Sequence, residues 1–217
     1  MNTNKTINHK KIFATKRHFA APALFLDRDG VIVEESHYLR DPKQVKLCMG
    51  IRQLISLAYE ADLPVVVITN QSGIARGRFN WEAYEQVTNR MLELLGPNAP
   101  IAAIYSNGNG PDAPLSSWRK PSPAMLIEAA ENLNLDLRNS LMIGDRLSDL
   151  QAGVNAGLAI LVHVLSGHGK SERPRVVNYF ERGEHLTGGN HQSQLLLLDS
   201  LKQFPMPLIR GNSKSSM

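Results

Sequence analysis

The chain has 217 residues, of which 42% are hydrophobic, and its single cysteine, Cys48, excludes a disulfide framework and a multi-thiolate metal site. No apolar run approaches the roughly 18 residues that a membrane span needs, so we expect no membrane partner. The net charge is +4, but from Asp27 onward 19 Lys and Arg residues stand against 20 Asp and Glu residues, and this balance argues against a nucleic-acid partner.

The basic excess lies at the beginning of the chain. Residues 1–26 contain five Lys and Arg residues and no acidic residue. This stretch lacks the apolar core of a signal peptide, and it is Lys-rich rather than Arg- and Ser-rich as transit peptides are. We therefore expect residues 1–22 to be a basic, flexible tail of a cytoplasmic protein, residues 23–210 to be one domain, and residues 211–217 to be a second flexible tail.

Short apolar runs then alternate with helical periods. The pattern predicts strands at residues 23–26, 64–69, 101–105, 140–143 and 159–164, and helices at 49–59, 81–95, 121–133 and 147–156. Ser122 is the predicted N-cap of the third helix, with Pro123 at its first position. This order favours βαβ units and a mostly parallel sheet with helices on both faces. Residues 106–117 and 166–194 show no regular period, and a terminal helix is predicted at 195–204.

Polar clusters follow the first, second and fourth predicted strands, and another lies just before the third helix. In an open parallel sheet, ligands bind outside the carboxyl ends of the strands. Carboxylates that meet a hydroxyl and a lysine there suit a hard cation and a phosphoryl group. One carboxylate can attack phosphorus, and a second can exchange protons with the leaving oxygen and with water.

The motifs FLDRDG (25–30), TNQSG (69–73), RKP (119–121) and GDRLSD (144–149) carry a family resemblance. In this order they resemble the haloacid dehalogenase (HAD) superfamily of phosphotransferases, over about residues 23–164. The resemblance implies a three-layer, Rossmann-like α/β fold. It implies Asp27 as nucleophile and Asp29 as general acid and base. Thr69 and Lys120 would hold the phosphoryl oxygens.

The same resemblance implies a magnesium site. Asp27, the backbone carbonyl of Asp29, and Asp145 would bind Mg²⁺, and Asp149 would lie behind them and orient a water on the ion.

Longer matches at residues 25–30, 35–38, 69–77 and 119–121 resemble the heptose bisphosphate phosphatases and the related histidinol-phosphate phosphatases. That branch has no large cap domain. The match implies a small phosphorylated metabolite as partner, with the 7-phosphate of heptose 1,7-bisphosphate favoured and histidinol phosphate or another phosphomonoester as the alternative. Substrate contacts are implied for Arg28, Glu35, Ser36, His37, Tyr38, Asn70, Gln71, Ser72, Arg119 and Arg146.

One segment departs from that branch, which commonly binds zinc through Cys and His in the loop before the lysine motif. The corresponding residues here are Asn107, Asn109, Ser116 and Trp118, which cannot supply such a ligand set, so we expect no zinc. Hydrogen bonds from Asn and Ser and the packing of Trp118 are expected to hold this loop.

Arginines beside the motifs form a second pattern. Together with Lys120 they predict a positive rim that attracts a multiply phosphorylated sugar, or else they are ordinary surface charges. The residues concerned are Arg28, Arg76, Arg78, Arg119 and Arg146. A non-catalytic binding protein on the same scaffold remains a further alternative, and we expect a monomer or a weak homo-oligomer.

Overall fold

The computed structural model describes residues 7–114, 116–183 and 193–210. Seven strands form one sheet in the order β1-β4-β3-β2-β5-β6-β7. The strands are β1 (Asn8–Ile12), β2 (Leu24–Leu26), β3 (Val65–Asn70), β4 (Ala103–Asn107), β5 (Leu141–Gly144), β6 (Ile160–His163) and β7 (Gln194–Leu197). The helices are α1 (Ile51–Glu60), α2 (Ser72–Ala75), α3 (Trp81–Leu95), α4 (Ala124–Leu133), α5 (Leu147–Asn155), α6 (Gly169–Glu181) and α7 (Pro207–Arg210). Short 3-10 helices lie at Pro42–Gln44, Leu137–Asn139 and Leu201–Gln203.

The sheet is parallel except at one edge, where β1 runs antiparallel to β4. Strand β2 lies at its centre and pairs with β3 on one side and β5 on the other. The chain thus changes direction across the sheet at β2, and such a switch point leaves a crevice at the carboxyl ends of the strands.

Alternation along β2 divides the core into two layers. Leu24 and Leu26 pack with residues of α1 and α3, while Phe25 packs on the other face with residues of α4, α5 and α6. Helix α1 buries Ile51, Leu54, Ile55 and Ala58, which is the helical spacing of an apolar stripe. The predicted three-layer α/β fold is confirmed. The predicted lack of a large cap domain agrees with the described residues between β2 and β3, whose regular elements are α1 and one 3-10 helix.

Three regions differ from the prediction. Residues 8–12 of the predicted tail form β1, because an edge strand tolerates polar side chains; Lys10 and Lys11 pair there with Glu128 and Glu85. Residues 169–181 form α6 instead of a loop; it has a weak period because it fully buries only Gly169 and Val176. The predicted terminal helix at 195–204 is wrong, since its leucine run extends the sheet as β7 beside β6.

The remaining boundaries shift by one to three residues, the largest shift being the start of α4 at residue 124 instead of 121, and α3 has the predicted bounds. Helix α4 begins at Ala124 with Pro123 as its N-cap, one residue later than predicted for each role. The Ser122 hydroxyl still accepts a hydrogen bond from the Ala124 N–H at 3.3 Å. Within the described part of the chain, no helix is both long and apolar enough to cross a membrane. The predicted tail at 211–217, and parts of the predicted tail at 1–22 and of the loops at 106–117 and 166–194, lie outside the described residues.

Candidate active site

The predicted motifs meet at the carboxyl edge of the sheet. Asp27 directly follows β2, Thr69 is the next-to-last residue of β3, and Asp145 directly follows β5. Lys120 reaches the same point from the segment before α4. A cavity of about 290 Å³ opens there, and it is lined by Asp27, Asp29, Lys120 and Asp149 among others.

Three buried carboxylates form what we call the acidic centre: Asp27, Asp145 and Asp149. One oxygen of each lies within 4.8 Å of the others. The Lys120 ammonium group lies 2.7 Å from Asp27 Oδ1 and 2.7 Å from Asp149 Oδ1. It also donates to the Ile68 carbonyl at 2.8 Å. The lysine is therefore held between two acids and the end of β3.

Burial dominates the electrostatics of this centre. It raises the pKa of Asp27 to about 7, with Lys120 opposing the rise and Asp149 adding to it. Burial, followed by the charges of Asp149 and Asp27, raises the pKa of Asp145 to about 9. Burial would lower the pKa of Lys120, but Asp149 and Asp27 outweigh it and the pKa is raised. A single lysine thus faces three acids, and the centre is short of positive charge.

The side-chain oxygens of the acidic centre suit a hard cation as ligands. Asp145 Oδ2 accepts from the His168 N–H at 2.7 Å, whereas Oδ1 is buried without a hydrogen-bond partner among the described residues. Asp149 Oδ2 accepts from the Arg146 N–H at 3.0 Å, and its Oδ1 faces Lys120. Each of the three side chains offers a carboxylate oxygen as a metal ligand, and Mg²⁺ prefers such ligands. The residues present therefore fit the magnesium ion that the motifs imply.

Asp29 is fixed at the edge of the cavity. Gln71 Nε2 donates to Asp29 Oδ2 and to Thr69 Oγ1, both at 2.8 Å. Arg28 donates to the two Asp29 oxygens at 3.1 and 3.0 Å. The Asp29 side chain keeps 21% of its surface exposed, whereas that of Arg28 keeps 1% and its guanidinium carbon lies 4.9 Å from the centre of the Tyr84 ring. Arg28 and Gln71, both predicted substrate contacts, thus also support Asp29.

Asn70 is a predicted substrate contact whose side chain binds the backbone of Lys120. Its Oδ1 accepts from the Lys120 N–H at 3.1 Å, and its Nδ2 donates to the Lys120 carbonyl at 3.2 Å. The other predicted contacts, which line the cavity beside Asn70, are Glu35, Ser36, His37, Tyr38, Ser72, Arg119 and Arg146.

The cavity wall contains further residues that the site prediction omitted. These are Leu39, Ser148 and His168. Ser148 lay close to a signal, because it lies between Asp145 and Asp149. Arg76, which was predicted as part of the positive rim, also lines the cavity. His168 reaches the site through its backbone contact with Asp145, which no local pattern reveals.

Three arginines line the cavity together, and we call Arg76, Arg119 and Arg146 the arginine rim. Burial, and then the positive charges of the other two, lower the pKa of Arg119. None of the three has an acidic partner within 4.0 Å among the residues that the structure describes. Arg76 donates to the Tyr38 hydroxyl at 2.7 Å. Like charges held together without acids make a site for an anion.

The loop between β4 and α4 is held as the sequence predicts for its asparagines and for Trp118. Asn109 Nδ2 donates to Asn107 Oδ1 at 2.6 Å, and Trp118 packs on Tyr105 with 5.6 Å between ring centres. The serine in this set is Ser117, whose hydroxyl accepts from the Arg119 N–H at 3.3 Å. A hydrogen bond from Ser116, the predicted serine, is not among the contacts of the described residues.

Known proteins are similar to this chain in sequence and in fold. Residues 117–186 match the family described as HAD-hydrolase-like. The chain is 48% identical over 145 residues to the D-glycero-beta-D-manno-heptose-1,7-bisphosphate 7-phosphatase of Mesorhizobium japonicum, covering 64% of this chain and 67% of that one. It is 32% identical over 198 residues to the protein of the same name from Vibrio cholerae serotype O1, covering 88% of this chain and 98% of that one.

Two crystal structures are similar over most of the chain. A proposed HAD-like phosphatase from Mesorhizobium loti has a TM-score of 0.77 and 33% identity, covering 99% of each chain. The D,D-heptose 1,7-bisphosphate phosphatase of B. bronchiseptica, complexed with magnesium and phosphate, has a TM-score of 0.69 and 30% identity, covering 83% of this chain and 93% of that one.

Proposed function

Because the chain belongs to the family of HAD-like heptose 1,7-bisphosphate 7-phosphatases, we propose that it removes the 7-phosphate of D-glycero-D-manno-heptose 1,7-bisphosphate. The observation that carries this choice of substrate is that one cavity is lined by two groups that would each take a phosphate. Asp27 and Asp149 of the acidic centre line it with Lys120, and a cation held by that centre would let it receive one phosphate. The arginine rim lines the same cavity and would take the other phosphate. A substrate with two phosphates would satisfy both.

In the proposed first step, a carboxylate oxygen of Asp27 attacks the phosphorus of the 7-phosphate. A new O–P bond forms and the bond from phosphorus to the sugar oxygen breaks, while Asp29 donates a proton to that oxygen. Asp29 is suited to this role because Gln71 and Arg28 fix its carboxyl group two residues after Asp27. Thr69 and Lys120 would hold the phosphoryl oxygens, Lys120 supplying positive charge as well.

In the second step, water attacks the phosphorus of the aspartyl-phosphate and Asp29 takes a proton from that water. The bond between phosphorus and Asp27 breaks, which releases inorganic phosphate and restores the carboxylate. The same carboxyl group therefore acts first as acid and then as base.

Magnesium is the proposed cofactor, as in the B. bronchiseptica structure. Asp27, the Asp29 carbonyl and Asp145 would hold the ion, with Asp149 behind them. When bound, the ion supplies the positive charge that lets an anionic carboxylate approach an anionic phosphate. Two observations support this assignment: Asp145 Oδ1 is buried without a hydrogen-bond partner in the described part of the chain, and the pKa values of Asp27 and Asp145 are raised.

No zinc is proposed for the loop at residues 107–118. Support comes from its side chains, since Asn107, Asn109, Ser116 and Trp118 offer neither thiolate nor imidazole. Elemental analysis of the purified protein should find less than about one tenth of a zinc atom per chain, and stoichiometric zinc would contradict the assignment. The protein is also proposed to be cytoplasmic, a monomer or weak homo-oligomer, without nucleic-acid or membrane partners.

A substrate panel tests the proposed function. The purified protein with Mg²⁺ would be assayed on both anomers of heptose 1,7-bisphosphate, on histidinol phosphate and on other small phosphomonoesters. We expect the highest kcat/KM with a heptose bisphosphate, and release of one phosphate per molecule to leave the 1-phosphate. Higher kcat/KM with histidinol phosphate would reassign the substrate, and failure to hydrolyse every ester would favour a non-catalytic binding protein.

A further inference from the structure

Arg119 and Lys120 are neighbours in the chain, and a closed circuit of hydrogen bonds joins them. Its first half runs through Asn70, which binds the Lys120 backbone by donating to its carbonyl and accepting from its N–H. Asn107 Nδ2 in turn donates to Asn70 Oδ1 at 3.3 Å. The end of β4 is thereby tied to the segment that carries the lysine.

The second half of the circuit leads to the arginine. Asn107 Oδ1 accepts from Asn109 Nδ2 at 2.6 Å and from the Asn109 N–H at 3.3 Å. The Asn109 carbonyl then accepts from Arg119 Nη1 at 3.1 Å. The path thus returns to the residue before Lys120, and the peptide at Asn109 is fixed on one side by Asn107 and used on the other by Arg119.

Asn107 is fully buried, and the hydrogen bonds just described occupy both polar atoms of its amide. Its amide is therefore engaged in this circuit and does not face the cavity. Asn109, by contrast, touches the rim directly through its carbonyl.

The hydrogen bonds of this circuit oppose the repulsion between the arginines of the rim. Burial, and then the charges of Arg76 and Arg146, lower the pKa of Arg119, so the two charges repel its guanidinium group. Without a fixed acceptor, that repulsion would favour conformations of Arg119 that turn away from the other two arginines. The Asn109 carbonyl is such an acceptor, and the side chain of Asn109 holds it in place.

We propose that Asn109, supported by Asn107, is a positioning residue that holds the Arg119 guanidinium in the arginine rim and so sets the affinity for the second phosphate of the substrate. The identity of that anion rests on the proposed function. The position of the guanidinium does not depend on it, so the two can be tested separately.

The experiment compares Asn109→Ala with Asn139→Ala. Asn139 is a matched control because its Nδ2 also makes a side-chain hydrogen bond of 2.6 Å, to Asp136, and lies outside the cavity wall. Steady-state kinetics with Mg²⁺ would use heptose 1,7-bisphosphate and p-nitrophenyl phosphate, which lacks a second phosphate. We expect Asn109→Ala to raise KM for the bisphosphate about 3- to 10-fold with kcat within about twofold, a size typical of one lost hydrogen bond.

The second substrate and the control should stay unchanged. For p-nitrophenyl phosphate, kcat/KM of Asn109→Ala should remain within about twofold of the starting protein, and Asn139→Ala should match that protein on both substrates. Asn109→Ser keeps a side-chain donor and should give an intermediate KM. In an Arg119→Ala background, Asn109→Ala should add less than about twofold, because the two act through one contact.

Two results would overturn the proposal. One is an equal loss of kcat on both substrates with the bisphosphate KM unchanged, which would mean that Asn109 acts on Lys120 or on the fold. The other is additive effects of Asn109→Ala and Arg119→Ala.

If Arg119→Ala alone leaves the bisphosphate KM unchanged, the proposed second-phosphate site is wrong, and crystal structures then decide the positioning role. A guanidinium displaced from the residue 109 carbonyl in Asn109→Ala supports that role, and an unmoved one refutes it.

Discussion

The acidic centre and the arginine rim share one cavity but are built in different ways. Asp27 and Asp145 directly follow neighbouring strands of the sheet, and both are buried. Arg76 follows the short helix α2, Arg119 lies in a loop, and Arg146 caps α5; none of them is buried. Burial therefore separates the two groups more clearly than their elements do. Lys120 and Asp149 lie in a loop and in α5, but they are buried like Asp27 and Asp145, whereas the arginines proposed for recognition are not.

Replacing Asp27 with Asn should remove the chemistry of the acidic centre and have the largest effect on turnover. Asparagine keeps the shape and an oxygen that faces Lys120, but it cannot serve as the attacking carboxylate. We expect turnover to fall by a factor on the order of 10⁴ or more on every substrate, with the circular dichroism spectrum unchanged. Activity within tenfold of the starting protein would rule out the covalent mechanism.

Removal of magnesium tests the acidic centre as a whole. We expect a chelator to abolish hydrolysis and added Mg²⁺ to restore it, since the three buried acids have one lysine as a counter-charge. A phosphatase assay before and after dialysis measures this. Full activity in the chelated protein would contradict the proposed cofactor.

The pH dependence of stability tests whether the acidic centre is short of positive charge. The pKa values of Asp27 and Asp145, raised to about 7 and about 9, lie above the ordinary value, so the metal-free folded protein binds protons more tightly than the unfolded chain. Its stability should fall as the pH rises from about 4 to about 9. Calorimetry should therefore show a larger rise in Tm on adding Mg²⁺ at pH ~8 than at pH ~5.5, of about 5 °C or more near saturation. Sodium chloride at equal ionic strength is the control, and equal shifts at both pH values would contradict the charge deficit.

Replacing Arg119 with Ala tests the rim without touching the acidic centre. A charge-assisted hydrogen bond to a phosphate contributes about 1.5–3 kcal/mol, so KM for the bisphosphate should rise roughly 10- to 150-fold. For p-nitrophenyl phosphate we expect a change of less than about threefold. A similar loss on both substrates would show that the rim does not act separately from the chemistry.

Replacing Tyr38 with Phe should give the smallest effect. It removes the hydroxyl that accepts from Arg76 at 2.7 Å but leaves the ring that lies near Arg78. We expect KM for the bisphosphate to rise only about 2- to 5-fold, because the lost hydrogen bond acts on the phosphate indirectly, by orienting Arg76. Tyr59→Phe is the matched control, because Tyr59 is exposed and lies outside this cavity. An unchanged KM in Tyr38→Phe would exclude Tyr38 from the support of the rim.

Strand β1 shows why the sequence alone did not predict a strand near the beginning of the chain. Its residues, NHKKI, have little apolar content, and their place in the sheet depends on pairing with β4 and on glutamates far along the chain. Helix α6 and strand β7 were missed for a related reason. Each lies at the outside of the fold, and its own residues carry a weak periodic signal.

The amino-acid sequence was enough to predict the order of strands and helices in the core and the four motifs at their ends. Those features can be recognised in short stretches of sequence, because a buried strand is an apolar run and the polar site residues lie close to its end. Three features needed the packing of the whole domain: Arg76, Arg119 and Arg146 stand together without an acidic partner among the described residues, Arg28 is buried beside Asp29, and Asn107 and Asn109 reach Arg119. These contacts join residues from separate loops, and their positions follow from the packing of the elements between them.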